Sequence, residues 1–318
     1  MIVRVFGFLI GILAAGTVWA STYPMPPRDV DLVGRDMSAL VRPGDTLLDI
    51  GRRHDVGYDD MHNANPGVDM WLPPVDSRVV IPNRHILPDA PRVGIVLNLP
   101  ELRLYYYRRA AHGKPAVVET YPVGIGRMDW STPLGKTRIV QKIRNPAWYP
   151  PKSIREAAAA QGDPLPKVVP AGPDNPLGLF AMRLAIPGYL IHSTNKPWGV
   201  GMRVSHGCVR MYPENMKYLF PQVPVNTPVR IVNQPFKAGW YAGTLYLEAH
   251  PTLDEDKTSE QAALRQAVKV IADALGNHRY RVDFDKVKQV VRQHLGIPIA
   301  IGRKPPRTVV AENRHWSP

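Results

Sequence analysis

The sequence predicts a mainly β domain, with a small α+β unit before it and a helix-containing extension after it. Three observations carry this. Proline supplies 34 of 318 residues, about twice its usual share of roughly 5%, which favours strands and turns over long helices. Between residues 92 and 233 apolar residues come in short runs or at period two, the strand pattern. Before and after that region the spacing turns helical. The length allows two or three small domains, and 44% hydrophobic residues suffice to bury their cores.

Residues 1–20 read as an export signal. Arg4 gives a short positive start, residues 5–15 an apolar core too short to span a bilayer, and Val18-Trp19-Ala20 a site for cleavage after Ala20. The competing reading is an uncleaved anchor. No cysteine follows the cut, which excludes lipid attachment there. An exported chain with one cysteine, Cys208, makes no internal disulfide, so that thiol is either buried and inert or reactive. A net charge of +13 suits a polyanionic partner. The basic residues are spread along the chain and form no recognisable nucleic-acid module. Nucleic acid is therefore discounted in favour of an anionic membrane surface or an acidic cell-wall polymer.

Residues 21–38 open with Pro24, Pro26 and Pro27 and read as a lead-in. Residues 39–84 form a small unit. Asp45 or Thr46 caps a helix carrying Leu47 and Ile50, a second short helix fits residues 58–63, and Asn65-Pro66-Gly67 breaks the chain before a strand at residues 79–81. This strand–helix–helix–strand order, with G-D-T-L in front and N-A-N-P-G behind, resembles the LysM peptidoglycan-binding module. Gly57-Tyr58-Asp59-Asp60 departs from the hydroxyl-rich start common in its second helix.

In residues 92–233, residues 95–99 are an apolar run. Leu102, Leu104 and Tyr106 alternate with Arg103, Tyr105 and Tyr107, as in a half-buried strand. Gly124-Ile125-Gly126 lacks the third glycine and the following helix of a dinucleotide fingerprint. Residues 153–160 are helical. Residues 162–178 hold five prolines and three glycines, a stiff loop of a length that is often functional. It is a candidate wall of a substrate channel. Residues 213–219 form a helix and residues 229–232 the last strand.

Residues 234–318 differ in character. Residues 244–248 suit a strand. Thr258 with Gln261 makes a capping box ahead of an apolar stripe at Leu264, Val268, Ile271 and Leu275, stopped by Gly276. Val287, Val290, Val291 and Leu295 make a second stripe, stopped by Gly296. Narrow stripes of this kind mark packing helices. The basic end from Arg303 is expected to fray.

The chemistry concentrates in residues 189–211. His192 and His206 lie within sixteen residues of Cys208, with Gly199, Gly201 and Gly207 around them. A thiolate is the nucleophile, and an imidazole takes its proton or stabilises the anion. His192 ends an expected strand, which holds a base stiffly. Amides near Gly207 and Cys208 suit a developing oxyanion. Arg210, two residues on in an extended segment, faces the same side as Cys208 and suits a substrate carboxylate. A zinc site would have three ligands at unusual spacing and no acidic fourth, so no metal is assigned.

His192-Ser193-Thr194 followed by Ser205-His206-Gly207-Cys208-Val209-Arg210 resembles the signature of the L,D-transpeptidase (YkuD-type) family. With Gly124-Ile125-Gly126 and residues 168–179, the chain is similar to the periplasmic branch that carries an N-terminal LysM-like unit and a C-terminal extension. The resemblance implies a β-sandwich catalytic domain over residues 92–233, Cys208 as nucleophile and His192 as base and later proton donor. His206 and Ser205 would orient the site, Gly207 and Cys208 would supply oxyanion amides, and Arg210 would bind substrate. Ser193 stands where many relatives have glycine, and its role is open. The implied reaction needs no cofactor. The thiolate attacks a tetrapeptide stem of peptidoglycan, D-alanine leaves, and an amine takes the acyl group from the thioester. That amine is a diaminopimelate side chain or, in part of the branch, a lysine of an outer-membrane lipoprotein. Two alternatives stay open: a cysteine carboxypeptidase, in which water replaces the amine, and a non-catalytic wall-binding protein.

Overall fold

The computed structural model describes residues 21–303 except 112, 128–129 and 277–279. The expected export signal and the basic end beyond Arg303 lie outside the described residues. Ser21–Pro24 (β1) and Leu32–Gly34 (β2) form within the stretch expected to be a mere lead-in. Met37–Leu40 (β3), Leu47–Arg53 (α1), Tyr58–Ala64 (α2) and Arg78–Ile81 (β4) follow in the expected order, and β3 pairs antiparallel with β4. Of the two candidate caps it is Thr46 that starts α1, in a capping box with Asp49. Val41, Leu47, Ile50, Met61, Val79 and Ile81 fill this unit's core. Arg84–Ile86 (β5) then returns to pair with β2.

The central region supplies Gly94–Asn98 (β6), Arg103–Arg108 (β7), Val117–Gly126 (β8), Gly135–Arg144 (β9), Lys152–Ala160 (α3), Phe180–Leu184 (β10), Leu190–His192 (β11), Arg203–Ser205 (β12), Val209–Met211 (β13), Pro213–Gln222 (α4) and Pro228–Val232 (β14). A two-sheet sandwich was expected. The pairings instead run in a closed circuit, β8–β13–β11–β10–β9–β14–β6–β7 and back to β8. The ten-residue β8 makes this possible. Its first six residues pair with β7 and its residues 123–124 with β13, so one strand serves both sides. Ile95, Leu97, Leu104, Ile139, Ile191 and Ile231 point into the circuit, and Met216, Leu219 and Phe220 of α4 cover one side.

The strand expected to be half-buried, β7, is buried on both faces. Arg103 and Tyr105 are each 0% exposed, as is Leu104. Leu104 and Tyr106 face the circuit, while Tyr105 and Tyr107 pack with Val33, Leu87, Val96 and Val118 under the N-terminal segments. Arg103 donates to Asp60 of α2 at 3.0 Å. Period two therefore marks two chemically different interiors here, not an interior and a solvent face.

The C-terminal region is an α+β layer with its own core. Phe236–Tyr241 (β15), Thr244–Ala249 (β16), Arg281–Val282 (β17) and Ile299–Arg303 (β18) form a sheet in the order β15–β16–β18–β17, with Glu260–Leu275 (α5) and Phe284–Gln293 (α6) against it. Two details differ from expectation. Ser259, not Thr258, caps α5 by accepting from the Ala262 amide. The buried stripe of α5 is Ala263, Ala267 and Ile271, whereas Val268 is 38% exposed, because alanines let the helix approach the sheet more closely than valine would. His294, in the left-handed conformation, ends α6 two residues before Gly296.

Buried charges tie the three regions together. Lys237 of β15 reaches Glu101 at 2.8 Å and Glu248 at 2.9 Å, and donates to the Ile86 carbonyl at 2.6 Å. Glu248 also accepts from the Ile86 amide at 2.5 Å and meets His250 at 2.8 Å.

Candidate active site

Strand pairing brings together what the sequence separates. β11 and β13 lie side by side in parallel, with His192 opposite Arg210, so Cys208, the residue before β13, falls at the Leu190 end of β11, and Cys208 and His192 line one cavity. The thiol is half-buried and lies 3.6 Å from the Gly188 carbonyl.

His192 is 3% exposed, and its Nδ1 hydrogen-bonds the Ser193 carbonyl. A carbonyl only accepts, so Nδ1 carries the proton and Nε2 keeps its lone pair. The imidazole is pulled down to about 4, first by burial and then by the positive Arg210. The Cys208 thiol is pushed up, chiefly by burial, against the opposing pulls of the Leu190 backbone and Arg210. At rest both groups are neutral. The open question about Ser193 has a backbone answer: its carbonyl orients His192, while its hydroxyl sits where a Cβ on Gly178 would come within 2.8 Å.

Ser205 staples the turn that presents the thiol. Its hydroxyl donates to the Cys208 carbonyl at 2.6 Å and accepts from the Gly207 amide at 3.2 Å. That amide, one of the two expected to face an oxyanion, is thus engaged in holding the turn. Gly207 has φ +100, and a Cβ there would meet Tyr189 at 2.8 Å. Thr132 adds a clamp by donating to the Gly207 carbonyl at 2.9 Å. His206 is half-buried edge-to-face on Trp130, ring centres 5.2 Å apart, and lines the same cavity as Cys208. Burial, Arg127 and Arg210 lower its proton affinity.

The paired glycines of β8 have a steric role that the sequence alone did not reveal. A Cβ on Gly124 would lie 2.5 Å from the Gly199 carbonyl, and one on Gly126 2.8 Å from the Gly207 Cα. The segment carrying the motif therefore lies backbone against backbone on β8.

Cys208 and His192 open into a cavity of about 750 Å³. One wall is α3 with Trp148 and Tyr149. Another is the stiff loop expected to line a channel, which contributes Asp163, Leu165, Val169 and Asp174. Asn175, unremarked in the sequence, knits that loop. It is 0% exposed, donates to the carbonyls of Pro146, Val169 and Pro170 at 2.8, 3.2 and 3.0 Å, and accepts from the Leu177 amide at 2.9 Å. The position between two prolines in Pro173-Asp174-Asn175-Pro176 was the available signal.

Arg127, Arg183, Lys196 and Arg210 give the cavity a positive lining. The Arg210 Nε is buried without a hydrogen-bond partner among the described residues. A desolvated guanidinium beside the thiol suits an anionic group supplied from outside. Away from this cavity, His85, Glu101 and Glu248 bring potential ligand atoms within 4.8 Å of one another. The Lys237 ammonium already lies against both carboxylates, so the cation's place is filled by a side chain.

Residues 92–231 match the family model of the YkuD L,D-transpeptidase catalytic domain. The chain is 40% identical over 308 residues to the probable L,D-transpeptidase YcfS of Escherichia coli K12, covering 94% of this chain and 93% of that protein. It is 37% identical to the probable L,D-transpeptidase ErfK/SrfK of the same strain, covering 91% and 94%. Among solved structures, the E. faecium L,D-transpeptidase catalytic domain determined by NMR aligns with a TM-score of 0.34 at 23% identity, over 46% of this chain and all of that one.

Proposed function

The chain belongs to the YkuD L,D-transpeptidase family, and we propose that it transfers peptidoglycan stem peptides to an amine through a thioester on Cys208. The observation that carries the mechanism is the parallel pairing of β11 with β13, which turns Cys208 and a neutral His192, its Nδ1 tied down, into one cavity. His192 Nε2 takes the thiol proton as sulfur attacks the carbonyl of the penultimate residue of a tetrapeptide stem. The resulting oxyanion faces the backbone near Cys208. As the intermediate collapses, His192 returns the proton to the leaving amine and D-alanine departs. The acceptor amine then attacks the thioester, gives its proton to His192 and releases the thiol. Arg210 binds a carboxylate of the donor stem, and the positive lining of the cavity favours such a multiply acidic substrate.

The acceptor is the side-chain amine of a second stem, giving a 3→3 cross-link, or a lysine of an outer-membrane lipoprotein. The strand–helix–helix–strand unit at residues 39–84 serves as a LysM-like wall-binding module, and export to the periplasm brings the enzyme to its polymer. The basic charge of +13 supports such a placement.

One experiment tests the mechanism. Purified protein is incubated with a tetrapeptide stem, with and without added amine, and followed by intact mass. A Cys208 acyl adduct, released D-alanine and an amine-linked product are expected, and all three vanish in Cys208→Ala. Release of D-alanine with no amine product would identify a carboxypeptidase. Wall binding with no adduct would identify a non-catalytic binder.

A further inference from the structure

We propose that the turn at residues 57–59 of the N-terminal unit is a positioning element of the active site, so that residues 92–231 are not catalytically autonomous. The proposal rests on the acyl-transfer reading above and concerns what holds its geometry.

The chain between His192 and Cys208 has little secondary structure of its own. A single 3-10 turn at Pro197–Gly199 is followed by the three-residue β12. Its backbone is gripped from outside. From the N-terminal unit, the amides of Tyr58 and Asp59 donate to the carbonyls of Val200 and Gly201 at 3.2 and 3.0 Å. The two backbones touch. A Cβ on Gly57 would fall 2.6 Å from the Gly201 Cα, and one on Gly201, whose φ is +80, would fall 2.2 Å from the Tyr58 nitrogen. Three contacts fix the N-terminal unit at the far side of the motif. Tyr212 donates to the Val56 carbonyl at 3.2 Å, Asn215 donates to Asp55 at 2.5 Å, and Arg52 forks onto Glu214 at 2.8 and 3.1 Å. From the C-terminal side, Asp254 and Glu255 hold Arg203 at 3.2 and 2.7 Å.

Residues 200–203 are thus held by both neighbours of the catalytic region, and the same segment runs on to Ser205 and Cys208. Gly199, at its start, packs against β8 and lies beside Arg210: a Cβ there would be 3.6 Å from the guanidinium. A shift of this segment displaces the turn that presents Cys208. Acyl transfer is sensitive to such shifts, since a displacement of about 1 Å can cost roughly 100-fold in rate. Gly57 and Arg203 are positioning residues, as neither touches the reacting atoms.

The test uses the full chain. Gly57→Ala forces the two backbones apart, and the double variant Asp254→Asn, Glu255→Gln releases Arg203. Ser38→Ala, on β3 away from the contact, is the control. Three quantities are measured: the limiting rate and half-saturation of Cys208 acylation by a carbapenem, the rate of Cys208 alkylation by iodoacetamide, and the unfolding midpoint. The expected result for Gly57→Ala is a limiting acylation rate at least about tenfold lower, with half-saturation and alkylation within about twofold of wild type. A merely structural defect would lower acylation and active-site titre together and leave the rate per folded molecule unchanged. The double variant is expected to acylate about threefold more slowly. A folded Gly57→Ala protein that acylates at the wild-type rate overturns the proposal. If that variant does not fold, Tyr212→Phe combined with Arg52→Gln, which loosens the same N-terminal unit from the motif, takes its place, and a wild-type rate there overturns the proposal. Wild-type protein that is never acylated would instead refute the acyl-transfer reading.

Discussion

The neutral resting pair makes a sharp statement about pH. His192 is 3% exposed and its imidazole is lowered to about 4. At pH 5 about nine-tenths of it is then neutral and able to accept the thiol proton, whereas at its ordinary value only about 3% would be. Acylation of Cys208 at saturating carbapenem should therefore change by less than about twofold between pH 7.5 and pH 5, where an ordinary histidine would give a loss of about thirtyfold. Stopped-flow fluorescence across pH 3.5–8 reads this directly, and the rate should fall tenfold per pH unit only below about 4. An acid limb centred near 6.5 would refute the neutral-pair assignment. The same group affects stability. Its folded proton affinity lies below the unfolded one, so the unfolded chain binds the proton first, and stability falls as pH drops from about 6.5 towards 4. The loss at the lower limit is about 3 kcal/mol. His85, buried and also held well below its ordinary value, adds a loss of the same sign, so His192→Asn should remove only part of the slope seen in urea titrations at successive pH values.

Further outcomes follow from other contacts. Arg210→Gln removes a positive charge that lowers both His192 and Cys208, so the acid limb of acylation should move to higher pH, and the KM for a stem peptide should rise at least about tenfold. Ser205→Ala leaves the Gly207 amide without its acceptor and should cost about 1–3 kcal/mol in denaturant unfolding while slowing acylation. Asn175→Leu unties the proline-rich wall, so limited proteolysis within residues 162–178 should accelerate and the KM should rise more than kcat falls. Lys237→Met strands Glu101 and Glu248 in the interior, and thermal unfolding should show a loss of about 3–5 kcal/mol.

Local signals were read well where the physics is local. Thr46 before Leu47, Gly276 after Leu275 and the prolines of residues 162–178 act on their immediate neighbours, and the structure keeps these breaks and caps. That Cys208 and His192 line one cavity agrees with the motif spacing, since a thiol and an imidazole so spaced suit nucleophile chemistry. Long-range facts were not legible. The double burial of β7 depends on residues as distant as Val33 and Asp60, and no periodicity within Arg103–Arg108 reports them. The closed circuit depends on β8 serving two neighbours, which its own ten residues do not announce. The steric role of Gly124 and Gly126 needs Gly199 and Gly207 in place, which the run Gly124-Ile125-Gly126 does not announce. For Ser193, whose role the sequence leaves open, the atom that meets His192 is a carbonyl that any residue would supply. The shift of the α5 stripe from Leu264 and Val268 to Ala263 and Ala267 has a similar origin: size complementarity with the sheet outweighed hydrophobicity alone.

The parallel pairing of β6 with β14 sets residue 95 beside residue 229, and Glu101 waits for Lys237 and Glu248. No local turn can close such contacts, so loop-closure entropy must be met before the central sheet gains its reward. A chain emerging amino end first would hold β6, β7 and β8 as an incomplete sheet with Glu101 uncompensated until β14, β15 and β16 arrive. Folding is therefore expected to be slow and concerted, with the ionic lock closing last. Fragments that end before residue 248 are expected to remain collapsed and aggregation-prone rather than to yield a working catalytic domain.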